Sequence, residues 1–356
     1  MQSNEPLARA LTGYDGPPVR IMEVCGTHTA EGFRNGIRSL LPPQVKLIAG
    51  PGCPVCVTPA GFIDKACWLA RHRDVLICSF GDLVRVPGSE ESLAALRARG
   101  RVQLRVVYSP LDALAVAAED PRREVVFLSV GFETTVPAAC LAVKKAAQAG
   151  VGNFSLLCSN RTMEEAYHLL HGAADAFLYP GHVSAITGME VYRRLAAEGI
   201  SGAVAGFGAQ EMLLAIDIIL KRLAKGMPFA VNCYTRVVTP QGIEAARALI
   251  AKVMEPCDAR WRGLGVIPHS GLRLRAEYER FDAEKRFSVP PLEGRENPAC
   301  RCGDVLRGSC EPPQCACFGK ACKPENPLGP CMVSSEGTCA AYYQYGGLPG
   351  NDRFRT

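Results

Sequence analysis

The chain has 356 residues, 48% of them hydrophobic, and a formal net charge of +5. That is enough apolar material for a sizeable core divided over two or three domains. The basic residues are spread along the chain, and the densest stretch, RARGRVQLR (97–105), has no nucleic-acid-binding motif beside it, so no nucleic-acid partner is expected. No signal-peptide pattern opens the sequence and no run of about 18 apolar residues interrupts it, so a soluble cytoplasmic protein without a membrane role is expected.

From about residue 44 to 225 one cycle repeats: a short apolar run, a glycine-containing turn, then a segment with helical apolar spacing. The strand candidates are VKLIA (45–49), DVLICSF (74–80), VQLRVVY (102–108), EVVFLSV (124–130), FSLLCS (154–159), DAFLYP (175–180) and GAVAGF (202–207). Near-continuous apolar strands alternating with helices predict an α/β protein with doubly wound, Rossmann-like parallel sheets covered on both faces. The hinge-like DPRRE (120–124) splits the strands into sets of three and four. The expected organisation is therefore a first α/β domain over 1–119, a second over 120–230, and a third over 231–356 that ends in a cysteine-rich segment with little regular structure.

Unusual residues concentrate in the loops after the strands, where ligands bind in parallel sheets. No nucleotide fingerprint is among them: G-x-x-x-x-G-K-[ST] is missing, and Gly206-Phe207-Gly208 lacks a third glycine. Cysteine is the exceptional residue. Seventeen cysteines, eight of them in the final 57 residues, exceed what a cytosolic protein with reduced thiols ordinarily carries. Cys315, Cys322, Cys331 and Cys339 are separated by six, eight and seven residues in a Gly- and Pro-rich tail. Such spacing suits a [4Fe–4S] cluster whose binding organises the tail, ahead of structural zinc and then disulfides.

Cys53-Pro54-Val55-Cys56 follows a strand at the expected start of a helix, a position that lowers a thiol's pKa; a redox pair is favoured over half a metal site or two core cysteines. Cys25, in the loop EVCGTHT with His28 three residues on, reads as a thiolate ligand or nucleophile, or as a buried cysteine beside a turn-capping histidine. Cys67, Cys78, Cys140, Cys158, Cys233 and Cys257 read as core. His182 and His269 are loop histidines, and Glu133 and Glu336 loop carboxylates, that could bind, move protons or only organise their loops.

EVCGTHT, GPGCPVCVTP, GFETT, SNRTMEEA, PGHVSAITG, GFGAQE and FGKACKPENPLGPCMVSSEGTCAAYYQY, in that order, together resemble the hydrogenase maturation HypD family. The resemblance implies two similar α/β domains plus a domain bearing a [4Fe–4S] cluster. It also implies assembly of the Fe(CN)2CO unit of [NiFe]-hydrogenases, with HypC as small chaperone, cyanide delivered through HypE and HypF, and the hydrogenase large subunit reached through HypC. Carried onto this sequence, the iron-site thiol falls on Cys25, the redox pair on Cys53 and Cys56, and the cluster ligands on Cys315, Cys322, Cys331 and Cys339, with Cys302 or Cys317 as possible exchanges. His182 and Glu336 join Cys25 as site residues. On this reading the protein is a redox-active assembly factor rather than a conventional turnover enzyme. A ferredoxin-dependent thiol–disulfide oxidoreductase and a zinc-binding scaffold are the other two readings.

Overall fold

The computed structural model describes residues 11–346. Two sheets organise it. The first is wholly parallel, with strands β1 (Val19–Glu23), β2 (Val45–Ala49), β7 (Ala176–Pro180), β8 (Gly202–Ala205) and β9 (Ala230–Asn232) in the order β2-β1-β7-β8-β9. The second contains β3 (Val75–Ser79), β4 (Gln103–Val106), β5 (Glu124–Gly131), β6 (Phe154–Arg161), β10 (Met254–Trp261) and β11 (Gly265–Leu274) in the order β10-β11-β6-β5-β3-β4. Its β3–β6 strands are parallel, and β10 and β11 add an antiparallel edge.

All seven strand candidates are strands. They do not, however, sort into sets of three and four on either side of 120–124. β3 and β5 pair directly, Val75 opposite Glu124 through Cys78 opposite Phe127, so DPRRE is a connection inside one sheet. The chain starts the first sheet, leaves to build the second, then returns, because parallel crossovers place successive strands wherever a covering helix can pack. Nor does 231–356 separate cleanly: β9 completes one sheet and the β10–β11 hairpin completes the other.

The helices cover these sheets through apolar faces. The helix Ala209–Leu223 buries Met212, Leu213, Ala215, Ile216, Ile219 and Leu220 against the first sheet, while its Lys221 and Arg222 complement the negative end of its dipole. Val136–Ala149 buries Val136, Ala139, Cys140, Ala142, Val143 and Ala146 against the second and ends on Gly150 in the left-handed region. Each sheet reverses its winding once, between β1 and β7 and between β3 and β5, and a crevice opens at the carboxyl ends of such strands.

The cysteine-rich tail is short helices and turns, including Cys302–Leu306 and Thr338–Tyr345. It is held on the first sheet's crevice by ring contacts. Phe33, on the helix Gly26–Arg34, meets Tyr342 edge-on at 4.4 Å, and the Arg38 guanidinium lies over both rings. An edge-to-face pair of this kind contributes about 1 kcal/mol beyond the area it buries. No helix among the described residues is long and apolar enough to cross a membrane.

Candidate iron-site and thiol centre

Four motif segments meet at the carboxyl edge of the first sheet: Val24-Cys25 after β1, Gly50–Cys53 after β2, Gly181-His182 after β7 and Gly206–Gly208 after β8. Cys25 is the N-cap of the helix Gly26–Arg34, with extended backbone and no side-chain cap. Two glycines permit the crowding. A Cβ at Gly52 would stand 2.3–2.6 Å from the Cys25 backbone, and one at Gly26 would lie 2.1 Å from the Glu336 carbonyl oxygen. The tail thus reaches Cys25 through Glu336, whose Oε1 accepts a 3.0 Å hydrogen bond from Thr27 Oγ1.

Burial pushes the Cys25 thiol up to about 11; the neighbouring Glu336 carboxylate acts in the same sense, and hydrogen bonds from the His28 and Thr27 backbone act against it. His28 does not pair with Cys25 through its ring. The imidazole is fully buried, its Nε2 3.0 Å from Gly206 O and its face 4.8 Å from Phe207, and burial lowers its pKa to about 4. His182 stacks on Phe207 at 4.1 Å. It begins the helix Gly181–Thr187 rather than lying in a loop, and partial burial lowers its pKa while Glu336 counters.

The Cys53/Cys56 pair is not at a helix start. Residues 54–57 form a turn and the helix begins only at Ala60, after Pro59. Cys53 is 3% and Cys56 1% exposed, and burial holds the Cys56 thiol well above its ordinary value, opposite to the expected activation by a helix dipole.

What touches Cys56 is Cys331. The two thiols hydrogen-bond, and the far side of Cys331 meets Cys302, Sγ to Sγ 2.6 Å. Cys53, Cys56, Cys302 and Cys331 all belong to one buried cluster, so four sulfurs run in a row from the CxxC turn into the tail.

Cys302 in turn hydrogen-bonds Cys300, and beyond it a small cavity is lined by Cys300, Cys302, Cys315, Cys317, Cys322 and Cys339 and walled by Val305, Phe318 and Leu328. Three of the expected ligands, Cys315, Cys322 and Cys339, line this cavity. Cys331 does not. It is turned toward Cys56 and Cys302, while Cys300, Cys302 and Cys317 line the cavity beside the other three. Around Cys339 the thiols of Cys300, Cys322, Cys315 and Cys310 add to the burial that raises it, and Cys339 in turn acts on Cys331 and Cys302. Spacing could not reveal this, since it does not say which way a side chain points. Soft sulfur donors in an apolar lining fit an iron–sulfur cluster, and Cys315, Cys322 and Cys339 with either Cys300 or Cys317 leave the Cys302–Cys331 contact intact. No three His, Cys, Asp or Glu side chains among the described residues are arranged to hold a single metal ion.

Comparison with known proteins is decisive on family. The HypD model, described as "Hydrogenase formation hypA family", matches residues 4–346. The chain belongs to the HypD family. It is 45% identical over 340 residues to "Hydrogenase maturation factor HypD" of Rhodobacter capsulatus, covering 93% of this chain and 90% of the relative. It is 44% identical over 336 residues to the Escherichia coli (strain K12) protein of the same name, covering 92% and 89%. "Hydrogenase expression/formation protein HupD" of Azotobacter chroococcum mcd 1 is 43% identical over 339 residues, covering 92% and 89%.

Of the remaining cysteines in this HypD-family chain, Cys67, Cys78 and Cys140 are buried as expected, whereas Cys158, Cys233 and Cys257 are only half-buried. Glu133 and His269 lie apart from Cys25, at a second cavity.

Proposed function

We propose that this chain is a [NiFe]-hydrogenase maturation factor on which the Fe(CN)2CO unit is assembled, in the cytoplasm, with a HypC-type small chaperone. HypE, charged by HypF, brings cyanide, and HypC carries the product to the hydrogenase large subunit. The observation that carries this reading is Cys25. A thiol at the winding reversal of a parallel sheet, beside Glu336 and near His182, and one neighbouring loop away from a buried dithiol, is suited to holding a soft metal cargo while its ligands change.

Iron is the substrate here, held between Cys25 and a thiolate of the small partner. The Cys25 proton must leave as iron binds, and Glu336 and His182 are the nearby groups placed to take it. Burial of Cys25 and the close packing of Gly52 against its backbone hold the thiol in one position and keep water from competing for the metal.

The row of sulfurs handles electron pairs. With Cys302 and Cys331 reduced and Cys53–Cys56 oxidised, the Cys331 thiolate attacks Cys56 Sγ, forming a Cys331–Cys56 bond and releasing the Cys53 thiolate. Cys302 then attacks Cys331, forming a Cys302–Cys331 disulfide and releasing the Cys56 thiolate. Two electrons have moved along the row, and the Cys53/Cys56 dithiol, one loop away from Cys25, is restored. A [4Fe–4S] cluster bound by Cys315, Cys322 and Cys339 with either Cys300 or Cys317 would supply single electrons at low potential to this end of the chain.

The same row favours a second reading, a ferredoxin-dependent thiol–disulfide oxidoreductase acting on other proteins. Cys25 separates the two. Protein purified anaerobically with its small partner should show cyanide and carbonyl stretches in the infrared, and Cys25→Ala should abolish them without bleaching the visible absorbance of the cluster. Persistence of those bands in the variant, or turnover of generic protein disulfides with reduced ferredoxin and no iron–cyanide bands in the parent, would move the assignment to the oxidoreductase.

A further inference from the structure

A second cavity, of about 490 Å³, lies behind the helix Gly181–Thr187: His182 faces Phe207 and the Cys25 site, while Val183 and Thr187 line the far chamber. Its floor comes from two loops at the carboxyl ends of the second sheet. Glu133 follows β5, and Tyr167 lies on the helix Glu164–Leu170 after β6; Tyr192, on Glu190–Ala197, completes it.

The hydrogen-bond account of this floor does not close. Glu133 is 8% exposed; its Oε1 accepts from Met163 N at 2.8 Å, and its Oε2 has no partner. Tyr167, 1% exposed, gives its hydroxyl proton to Tyr192, which leaves its oxygen free only to accept. Tyr192 has its proton committed. Ser184 Oγ donates its single hydrogen to Pro180 O at 2.8 Å, so it must accept from Tyr192 Oη at 2.8 Å, and that oxygen in turn accepts from Tyr167. Two oxygens, Glu133 Oε2 and the Tyr167 hydroxyl, therefore line one chamber with acceptor capacity to spare, one of them a carboxylate, and a buried carboxylate without a cation is costly.

The surroundings have the same sign. Glu164, Glu165 and Glu190 line the chamber against Arg194 and Arg247; Arg194 is held by Glu164 at 2.6 Å and Glu190 by Arg193 at 3.5 Å, which leaves Glu133 and Glu165 facing Arg247. His269, also in the lining, has a left-handed backbone, φ 54°, a conformation that a residue with a side chain adopts at a cost. The chamber thus offers a donor-poor floor, apolar walls at Val183 and Val191, and an excess of carboxylates.

We propose that this chamber is a binding site for an organic nitrogen cation, a guanidinium or amidinium head on an alkyl stem, whose N–H groups pair with Glu133 Oε2 and the Tyr167 hydroxyl oxygen. A flat, multiply donating cation matches a carboxylate and an adjacent acceptor better than a single ammonium does. Such a head could belong to a free small molecule or to an arginine side chain, and the chemistry of the chamber is common to both.

Titration calorimetry of the full chain with agmatine tests this. One saturable site is expected. Because burial raises Glu133 to about 7, with Glu164, Tyr167 and Tyr192 the titratable groups around it, cation binding at pH 7 should release about half a proton and at pH 9 almost none. Glu133→Gln keeps an acceptor for Met163 N and should weaken agmatine at least tenfold and abolish proton release. Tyr167→Phe should weaken it several-fold and supplies the test should the first variant not fold. N-acetyl-arginine amide binding more tightly than agmatine identifies a peptide side chain as the ligand, and the reverse order a free molecule. Absence of saturation, equal affinity in Glu133→Gln, or equal binding of neutral butylurea overturns the proposal.

Discussion

Cys331 Sγ touches Cys302 Sγ, 2.6 Å away, and on its other side Cys56, which places it between the CxxC turn and the tail rather than among the sulfurs around the tail cavity. Iron and sulfide content should follow that geometry. Anaerobically reconstituted Cys331→Ser is expected to keep about four irons and four sulfides per chain, with its visible absorbance unchanged. Of Cys300→Ser and Cys317→Ser, one is expected to lose most of both. A bleached Cys331→Ser beside intact Cys300→Ser and Cys317→Ser would restore Cys331 as the ligand.

Removing the middle of the sulfur row should disconnect its ends. In Cys331→Ser and in Cys302→Ser, Cys53 and Cys56 should stay as a disulfide when the protein is treated with reduced ferredoxin, whereas in the parent they should become alkylatable. Differential thiol labelling with mass spectrometry reads this directly. Direct chemical reduction of the Cys53–Cys56 bond should be slow in every variant, because both sulfurs are buried. Equal reduction by ferredoxin in parent and variants would mean that electrons reach the CxxC turn by another path.

The central strands were legible because a strand covered on both faces must be apolar throughout, and EVVFLSV leaves little choice. Their grouping was not. DPRRE has the composition of a linker, yet it joins the helix Pro110–Glu119 to β5 inside one sheet, since strand pairing is decided by crossovers that leave no local mark. β1 was missed because VRIME carries Glu23, which is buried but held by Arg38 and Thr29. β10 was missed because its alternation, MEPCDARW, is that of an edge strand interrupted by a bulge. At the site, Cys25, Cys53 and Cys56 were readable from the glycines and prolines around them. The turning of Cys331 toward Cys56 and Cys302 was not readable, because it depends on side-chain direction in a chain without periodicity.

Glycine at position 52 is a steric requirement of the Cys25 site. Gly52→Ala would drive a methyl group to 2.3–2.6 Å from the backbone N, Cα and C of Cys25, atoms that cannot rotate away. A loss of roughly 1–3 kcal/mol in denaturant unfolding is expected from such overpacking, together with loss of the iron–cyanide infrared bands as Cys25 is displaced. Gly152→Ala, which meets nothing within 4 Å, is the matched control and should change neither. Bands of full intensity in Gly52→Ala would mean that the position of Cys25 tolerates movement.

Glu133 gives a pH signature independent of the metal. Burial raises its folded-state pKa from 4.5 to about 7, against hydrogen bonds that favour the charged form. For an acid shifted upward the neutral form is the one the fold prefers, so the associated stability is fully present below pH 4.5 and is lost as pH rises through 7. A shift of this size corresponds to about 3 kcal/mol, as an order of magnitude. Glu133→Gln cannot ionise and escapes that loss. Measured by urea unfolding without added cation, the variant should gain on the parent progressively from pH 5 to pH 8.5, approaching that figure at the upper end. Adding agmatine at pH 8 should stabilise the parent and narrow the gap, because the cation binds the ionised carboxylate that the fold alone disfavours. A gap that stays constant with pH would mean that Glu133 is already ionised at no cost, and the chamber would then have no unmet demand for a cation.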